Sequence, residues 1–149
     1  MSEPAESVKM RAGDSFEVFG RLTGESWLFR RSLGSQSSDA WMPPTDVYET
    51  CKEIVIKMSV PGVKPEDVRI VSEGQIVTIS GYRDASPGPG VVAYHQMEIR
   101  HGYFERKLIF NKPVDPESAC AEYRDGFIYV RIPKAEAPMD RVLTIRIRL

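Results

Sequence analysis

The sequence predicts an all-β, immunoglobulin-like antiparallel β-sandwich with a tail at each end. Three observations carry that prediction. From Trp41 to Lys134 apolar residues recur with period two in seven or eight short runs, with almost no helical period. Turn-forming pairs separate the runs: Pro61-Gly62, Glu73-Gly74 and Asp125-Gly126. The plainest hairpin is Ala121–Lys134, where Ile128, Val130 and Ile132 alternate with Phe127, Tyr129 and Arg131 until Pro133 stops the strand. Asp-Gly supplies the positive φ angles that a two-residue hairpin turn requires. Short strands at this spacing pack as a sandwich.

Residues 1–41 form an aromatic-rich N-terminal arm. Gly, Ser and charged residues surround Phe16, Val18, Phe19, Leu22, Trp27, Leu28, Phe29 and Leu33. Asp14 or Ser15 suits the cap of a short helix running to about Leu22, and Gly24, Gly34 and the SQSSD run prevent a longer one. The arm is therefore expected to be partly helical and otherwise disordered. A plain linker would be polar. These side chains need a partner in an oligomer or another protein, or else they fold back onto their own domain.

Residues 42–134 are expected to be the sandwich. Met42-Pro43-Pro44 is extended, because a residue before proline is pushed out of the helical region. Strands follow at Val47–Thr50, around Ile54, Ile56 and Met58, at Val68–Val71 and at Ile76–Ile79. Lys64-Pro65-Glu66-Asp67 makes a turn. Residues 84–92 are a Pro/Gly loop, and Val92–Met97 offers a further short strand carried on it. Phe104, Arg106, Leu108 and Phe110 then alternate with Glu105, Lys107 and Ile109, and in the last hairpin Ala119, Ala121 and Tyr123 face one way.

Residues 135–149 begin as a linker, AEAPMDR, and end with Leu143, Ile145, Ile147 and Leu149 alternating with Thr144, Arg146 and Arg148. A strand with one apolar face adds itself to a sheet edge or a groove. It is either a detachable arm, which the proline-containing linker favours, or the last strand of its own sandwich.

Composition excludes several classes of function. The 149 residues suffice for one domain plus tails. The 20 basic and 21 acidic residues nearly cancel, so no global field draws nucleic acid or an anionic membrane. No basic-aromatic stripe marks a nucleic-acid surface. The apolar runs fall far short of the ~20 residues of a membrane span, and no secretory signal is evident. Cys51 and Cys120 lack metal or CxxC spacing and read as reduced thiols of a cytoplasmic protein, although their even number leaves a bridge open. His95 and His101 are the available near-neutral bases, and neither sits in a triad motif. The chain is therefore expected not to be an enzyme. Ser86-Pro87-Gly88-Pro89-Gly90 lacks the Lys-Ser/Thr of a phosphate loop, and His95, Glu98 and His101 match no strong metal motif. No metal or cofactor is expected.

Four motifs stand in order. The first is Trp41-Met42-Pro43-Pro44-Thr45-Asp46-Val47-Tyr48-Glu49-Thr50. The second is Val60-Pro61-Gly62-Val63 with Glu66-Asp67-Val68. Gly102-Tyr103-Phe104-Glu105-Arg106 follows, with Pro113-Val114-Asp115 beyond it. The fourth is Ala121-x-Tyr123-x-x-Gly126-Phe127-Ile128 through Ile132-Pro133-Lys134. Together they make residues 41–147 resemble the small heat-shock proteins, the Hsp20/α-crystallin family, of bacterial and plant type. There are departures. Ile128 stands for the usual leucine, a volume-conserving swap. Asp125 stands for the commoner asparagine, and Asn111-Lys112-Pro113 for a Leu-Pro pair. The C-terminal I-x-I motif fits three registers, of which Ile145-Arg146-Ile147 is favoured.

The resemblance implies an α-crystallin domain acting in the stress response as an ATP-independent holdase. Its partners would be unfolding client proteins and copies of itself, assembled as dimers into larger oligomers. The arm residues would be Leu143, Ile145 and Ile147, docking from a neighbour into a groove of Val68 and Ile70 against Ala119, Ala121 and Tyr123. Phe16, Phe19, Leu22, Trp27, Leu28 and Phe29 would bind clients. Tyr94, His95, Met97 and Arg106 would form the dimer interface, since the loop after Arg83 is similar to one that exchanges a strand between protomers. Arg106 alternatively reads as a solvated strand arginine. The competing function is a co-chaperone-like adaptor with one folded partner, which would need neither apolar tail.

Overall fold

Nine strands form among residues 40–139 and 141–149, which the computed structural model describes. They are β1 (Thr45–Glu49), β2 (Glu53–Ser59), β3 (Val68–Glu73), β4 (Ile76–Arg83), β5 (Gly102–Ile109), β6 (Cys120–Arg124), β7 (Phe127–Pro133), β8 (Val142–Ile145) and β9 (Ile147–Arg148). Two sheets result, in the orders β1-β2-β7-β6-β9 and β5-β4-β3-β8. Every pairing is antiparallel except the parallel contact of β6 with β9. The fold is thus an all-β sandwich. The short helix expected up to Leu22, and the client candidates Phe16, Phe19, Leu22, Trp27, Leu28 and Phe29, lie outside the described residues.

Alternation sets which face of each strand is buried. In the five-stranded sheet Ile54, Ile56 and Met58 stand opposite Ile132, Val130 and Ile128, and all six are sealed from solvent. In the other sheet Ile70 faces Ile79, Val77 faces Leu108, and Gly81 faces Phe104. Each large side chain taken fully from water contributes about 2 kcal/mol, and these rows make one continuous core. Val55 departs from the alternation. It occupies the outer face yet is fully buried, because it sits in register between Tyr48 and Arg131.

Turn chemistry holds the register. Asp125 and Gly126 both adopt positive φ, 51° and 82°, joining β6 to β7 with the twist a hairpin needs. The Gly126 carbonyl accepts the Val60 N–H at 2.8 Å, tying this hairpin to the Pro61-Gly62 turn. Lys134 Nζ reaches Glu49 Oε1 at 3.2 Å and the Thr50 carbonyl at 2.7 Å, fastening the end of β7 to the β1–β2 turn.

Trp41 anchors the chain's arrival at the domain. Its backbone N–H donates to Tyr103 O at 3.1 Å and its indole N–H to Gly102 O at 3.2 Å. The ring meets Phe104 edge-on at 5.4 Å and carries the Arg83 guanidinium 4.2 Å from its centre. Burial pushes the Arg83 pKa down from its ordinary value, opposed by the nearby Tyr123.

The strand expected at Val92–Met97 does not form. Residues 84–101 contain no strand and run through solvent. An extended segment with no sheet edge beside it leaves its backbone groups to water. Its stem is closed by Arg83 Nη1 donating to Arg100 O and by His101 Nδ1 against Asp84 O, each at 3.0 Å.

Candidate functional site

The opening between the two sheets lies where the β3 edge faces the β6 edge. On the β3 side Ile70 and Ser72 are buried and Val68 is half-buried. On the β6 side Ala121 is buried, with Ala119 and Tyr123 half-buried beside it. Small residues on β6 leave room above the core. Residues 142–148 of the same chain fill that room. As β8 they pair antiparallel to β3, with Ile70 opposite Ile145, Val71 opposite Thr144, Ser72 opposite Leu143 and Glu73 opposite Val142. At Arg146 the chain leaves that sheet. As β9 it pairs with β6, Ile147 opposite Ala121 and Arg148 opposite Glu122.

One short segment thus closes both sheets. Ile145 is 6% exposed, Ile147 packs half-buried on the core, and Leu149 stands 94% exposed. Thr144, Arg146 and Arg148 point to solvent. The sequence reading expected a neighbour's arm in this groove. In the single chain its own arm occupies the place.

Two features of the groove carry no sequence signal. Ser72 is fully buried and its hydroxyl has no hydrogen-bond partner. The second is an ionic clasp at the groove mouth, where Arg141 Nη1 bonds Glu117 Oε1. Glu117 is placed by the turn that starts at Asp115. The Asp115 carboxylate accepts the Ser118 hydroxyl at 2.6 Å and the N–H groups of Glu117 and Ser118 at 3.0 and 3.3 Å. Neither feature follows a periodic pattern, and Glu117 and Arg141 are far apart in sequence.

The Ser118 hydroxyl bond, first among these, holds the Asp115 carboxyl below its ordinary value of 3.8. A carboxyl whose folded pKa is lowered stabilises above its unfolded pKa and loses that contribution as pH falls through the folded value. Asp115→Ala is therefore expected to lower the urea midpoint slightly at neutral pH, with the difference from wild type shrinking progressively as the pH falls below about 3.8. A difference that persists unchanged into stronger acid would contradict this account of the turn.

The remaining candidates are dispersed. Tyr94, His95 and Met97 are exposed on the 84–101 loop. Arg106 lies half-buried on β5, opposite Ile79 and with Nη1 3.7 Å from Met42 Sδ. Cys51 and Cys120 are exposed, free thiols. They lie two strands apart in the sheet order and well separated along it, beyond the roughly 7 Å Cα limit of a disulfide. Among the described residues no group of His, Cys, Asp or Glu is arranged to hold a metal, and no helix is long and apolar enough to cross a membrane.

The sandwich has known counterparts. The profile of the Hsp20/alpha crystallin family matches residues 46–148. The chain belongs to that family. Among its relatives is small heat shock protein C2 of Rickettsia felis, 23% identical over 92% of this chain and 88% of that protein. A 17.4 kDa class I heat shock protein of Oryza sativa is 30% identical over 90% of this chain and 87% of its own length. Heat shock protein 16.0 of Schizosaccharomyces pombe shares the fold with a TM-score of 0.64 at 27% identity, covering 70% of this chain and 75% of that one. The Hsp20 match runs through β8 and β9, so the arm lies within the family's span.

Proposed function

We propose that this Hsp20-family chain is an ATP-independent chaperone, a holdase that binds unfolding proteins and keeps them from aggregating. The observation that carries the reading is the groove between β3 and β6, filled by a segment whose apolar side chains are the only part of it that reaches the core. Unfolding proteins expose similar extended apolar stretches. Covering them requires no bond to be made or broken, only apolar surface removed from water. The aromatic arm of residues 1–41 supplies further apolar surface, the sandwich of 42–134 holds the groove, and 135–149 supply the arm.

Assembly follows from the same edges. A neighbour's 142–148 segment finds the same register on β3 and β6 that the chain's own arm uses. The outer edge of β1 ends the five-stranded sheet, and the exposed Val91, Val92, Tyr94, Met97 and Ile99 lie on a loop in want of such an edge. A dimer that trades these loops covers both hazards at once, and many weak arm contacts then give oligomers that exchange subunits. Exposed, unbridged Cys51 and Cys120 suit a reducing compartment such as the cytoplasm.

The test is light scattering from a heat-stressed client with and without the protein, in the absence of ATP. Suppression of the signal by an oligomeric protein is expected. A concentration-independent monomer that leaves client aggregation unchanged would refute the holdase and favour an adaptor with one folded partner.

A further inference from the structure

The groove's rim carries charge as well as its floor carries apolar surface, and the charges are ordered along the path of the arm. At the upstream end Arg141 pairs with Glu117, Gly74 donates its N–H to Arg141 O, and Glu73 stands opposite Val142. At the downstream end Arg148 stands opposite Glu122 in register, while Glu122 also keeps Arg124 at 3.6 Å. Between them Arg69, exposed next to Ile70 on β3, adds a second cation to the rim besides Arg124. Glu73 and Glu117 thus make the upstream end of the groove acidic, Glu122, shared with Arg124, sets a carboxylate opposite Arg148 at the downstream end, and both ends of the segment that fills the groove are basic.

We infer that the groove selects its occupants by charge: it takes extended apolar-x-apolar segments of unfolding proteins that are flanked by cations, and disfavours equally apolar segments flanked by carboxylates. The inference rests on the groove being a client site. Apolar side chains in the positions of Ile145 and Ile147 provide affinity, and the rim decides between segments of equal hydrophobicity. An acidic flank brings its carboxylates beside Glu73 and Glu117 at one end and Glu122 at the other, a like-charge contact that specificity exploits. Because all these groups are exposed, the discrimination is modest and salt-sensitive.

The experiment measures fluorescence anisotropy of three labelled peptides with the intact 149-residue chain. One peptide has the sequence of residues 141–149. The second carries Arg141→Glu and Arg148→Glu, and the third Ile145→Ala and Ile147→Ala. The protein's own arm competes equally with each, so the ratios are preserved. The first is expected to bind about fivefold more tightly than the second at low salt, with the gap closing near 1 M salt. Glu117→Lys with Glu122→Lys in the protein is expected to reverse that order. Equal binding of the first two, with the third failing, overturns charge selection and leaves the groove reading standing. Binding of the third as tight as the first overturns both.

Discussion

Gly81→Ala is expected to cost the fold about 3 kcal/mol, at the upper end of overpacking penalties. Gly81 sits on β4 directly opposite Phe104 on β5. A Cβ placed there would lie 2.6 Å from Phe104 Cζ and 2.9 Å from the Asp67 carbonyl oxygen. The carbonyl belongs to the 3-10 turn Pro65–Asp67 that leads into β3, so it is backbone and does not swing aside. Nor is the ring free, since Trp41 packs against it edge-on. Moving Phe104 therefore loosens the seat of Trp41 as well as the core. Urea unfolding should show a lower midpoint with an unchanged slope. Gly88→Ala, in a loop position with nothing within 4 Å, serves as the control and should stay within about 0.5 kcal/mol of wild type. A Gly81→Ala protein as stable as the control would show that the sheet relaxes here.

The second large effect concerns the arm. Ile145→Ala with Ile147→Ala removes the two side chains that seat residues 142–148, while Leu149→Ala removes one that stands in solvent. Truncating a buried isoleucine costs about 2–5 kcal/mol, less where it is half-exposed. That loss exceeds what two short pairings to β3 and β6 can restore, and the solvated Arg146 and Arg148 add little. Amide hydrogen exchange in β8 and β9 should accelerate about 30-fold or more, the factor that roughly 2 kcal/mol implies. Leu149→Ala should leave exchange unchanged. If the double variant keeps full protection, backbone pairing alone holds the arm and the apolar face has another purpose.

Most of the sandwich was legible because its strands obey alternation and its turns use residues suited to them. Ile128, Val130 and Ile132 are buried as their period requires, and Asp125-Gly126 takes the two positive φ angles that the pair suggested. Val55 was not legible, since its burial depends on cross-strand neighbours, Tyr48 and Arg131, that no local pattern reveals. Val92–Met97 has the composition of a strand but pairs with neither open edge, β1 or β5, in one chain, so propensity went unexpressed. For the arm, period two identified the greasy face. It did not reveal that the segment changes sheets at Arg146, because alternation is blind to which edge receives a strand. The Arg141–Glu117 clasp, the buried Ser72 hydroxyl and the stacking of Arg83 on Trp41 join residues distant in sequence or depend on burial alone. Only the fold brings them into view.

On the proposed function, the groove between β3 and β6 is a docking site whose occupant, this chain's arm or a neighbour's, decides how far the protein assembles. This is tested most directly by native mass from light scattering, measured for the 149-residue chain and for the chain ending at Pro138. The intact chain is predicted to form assemblies larger than a dimer and the shortened one to fall to dimers. Equal masses for the two would contradict the claim and make β8 and β9 no more than the closing strands of their own sandwich.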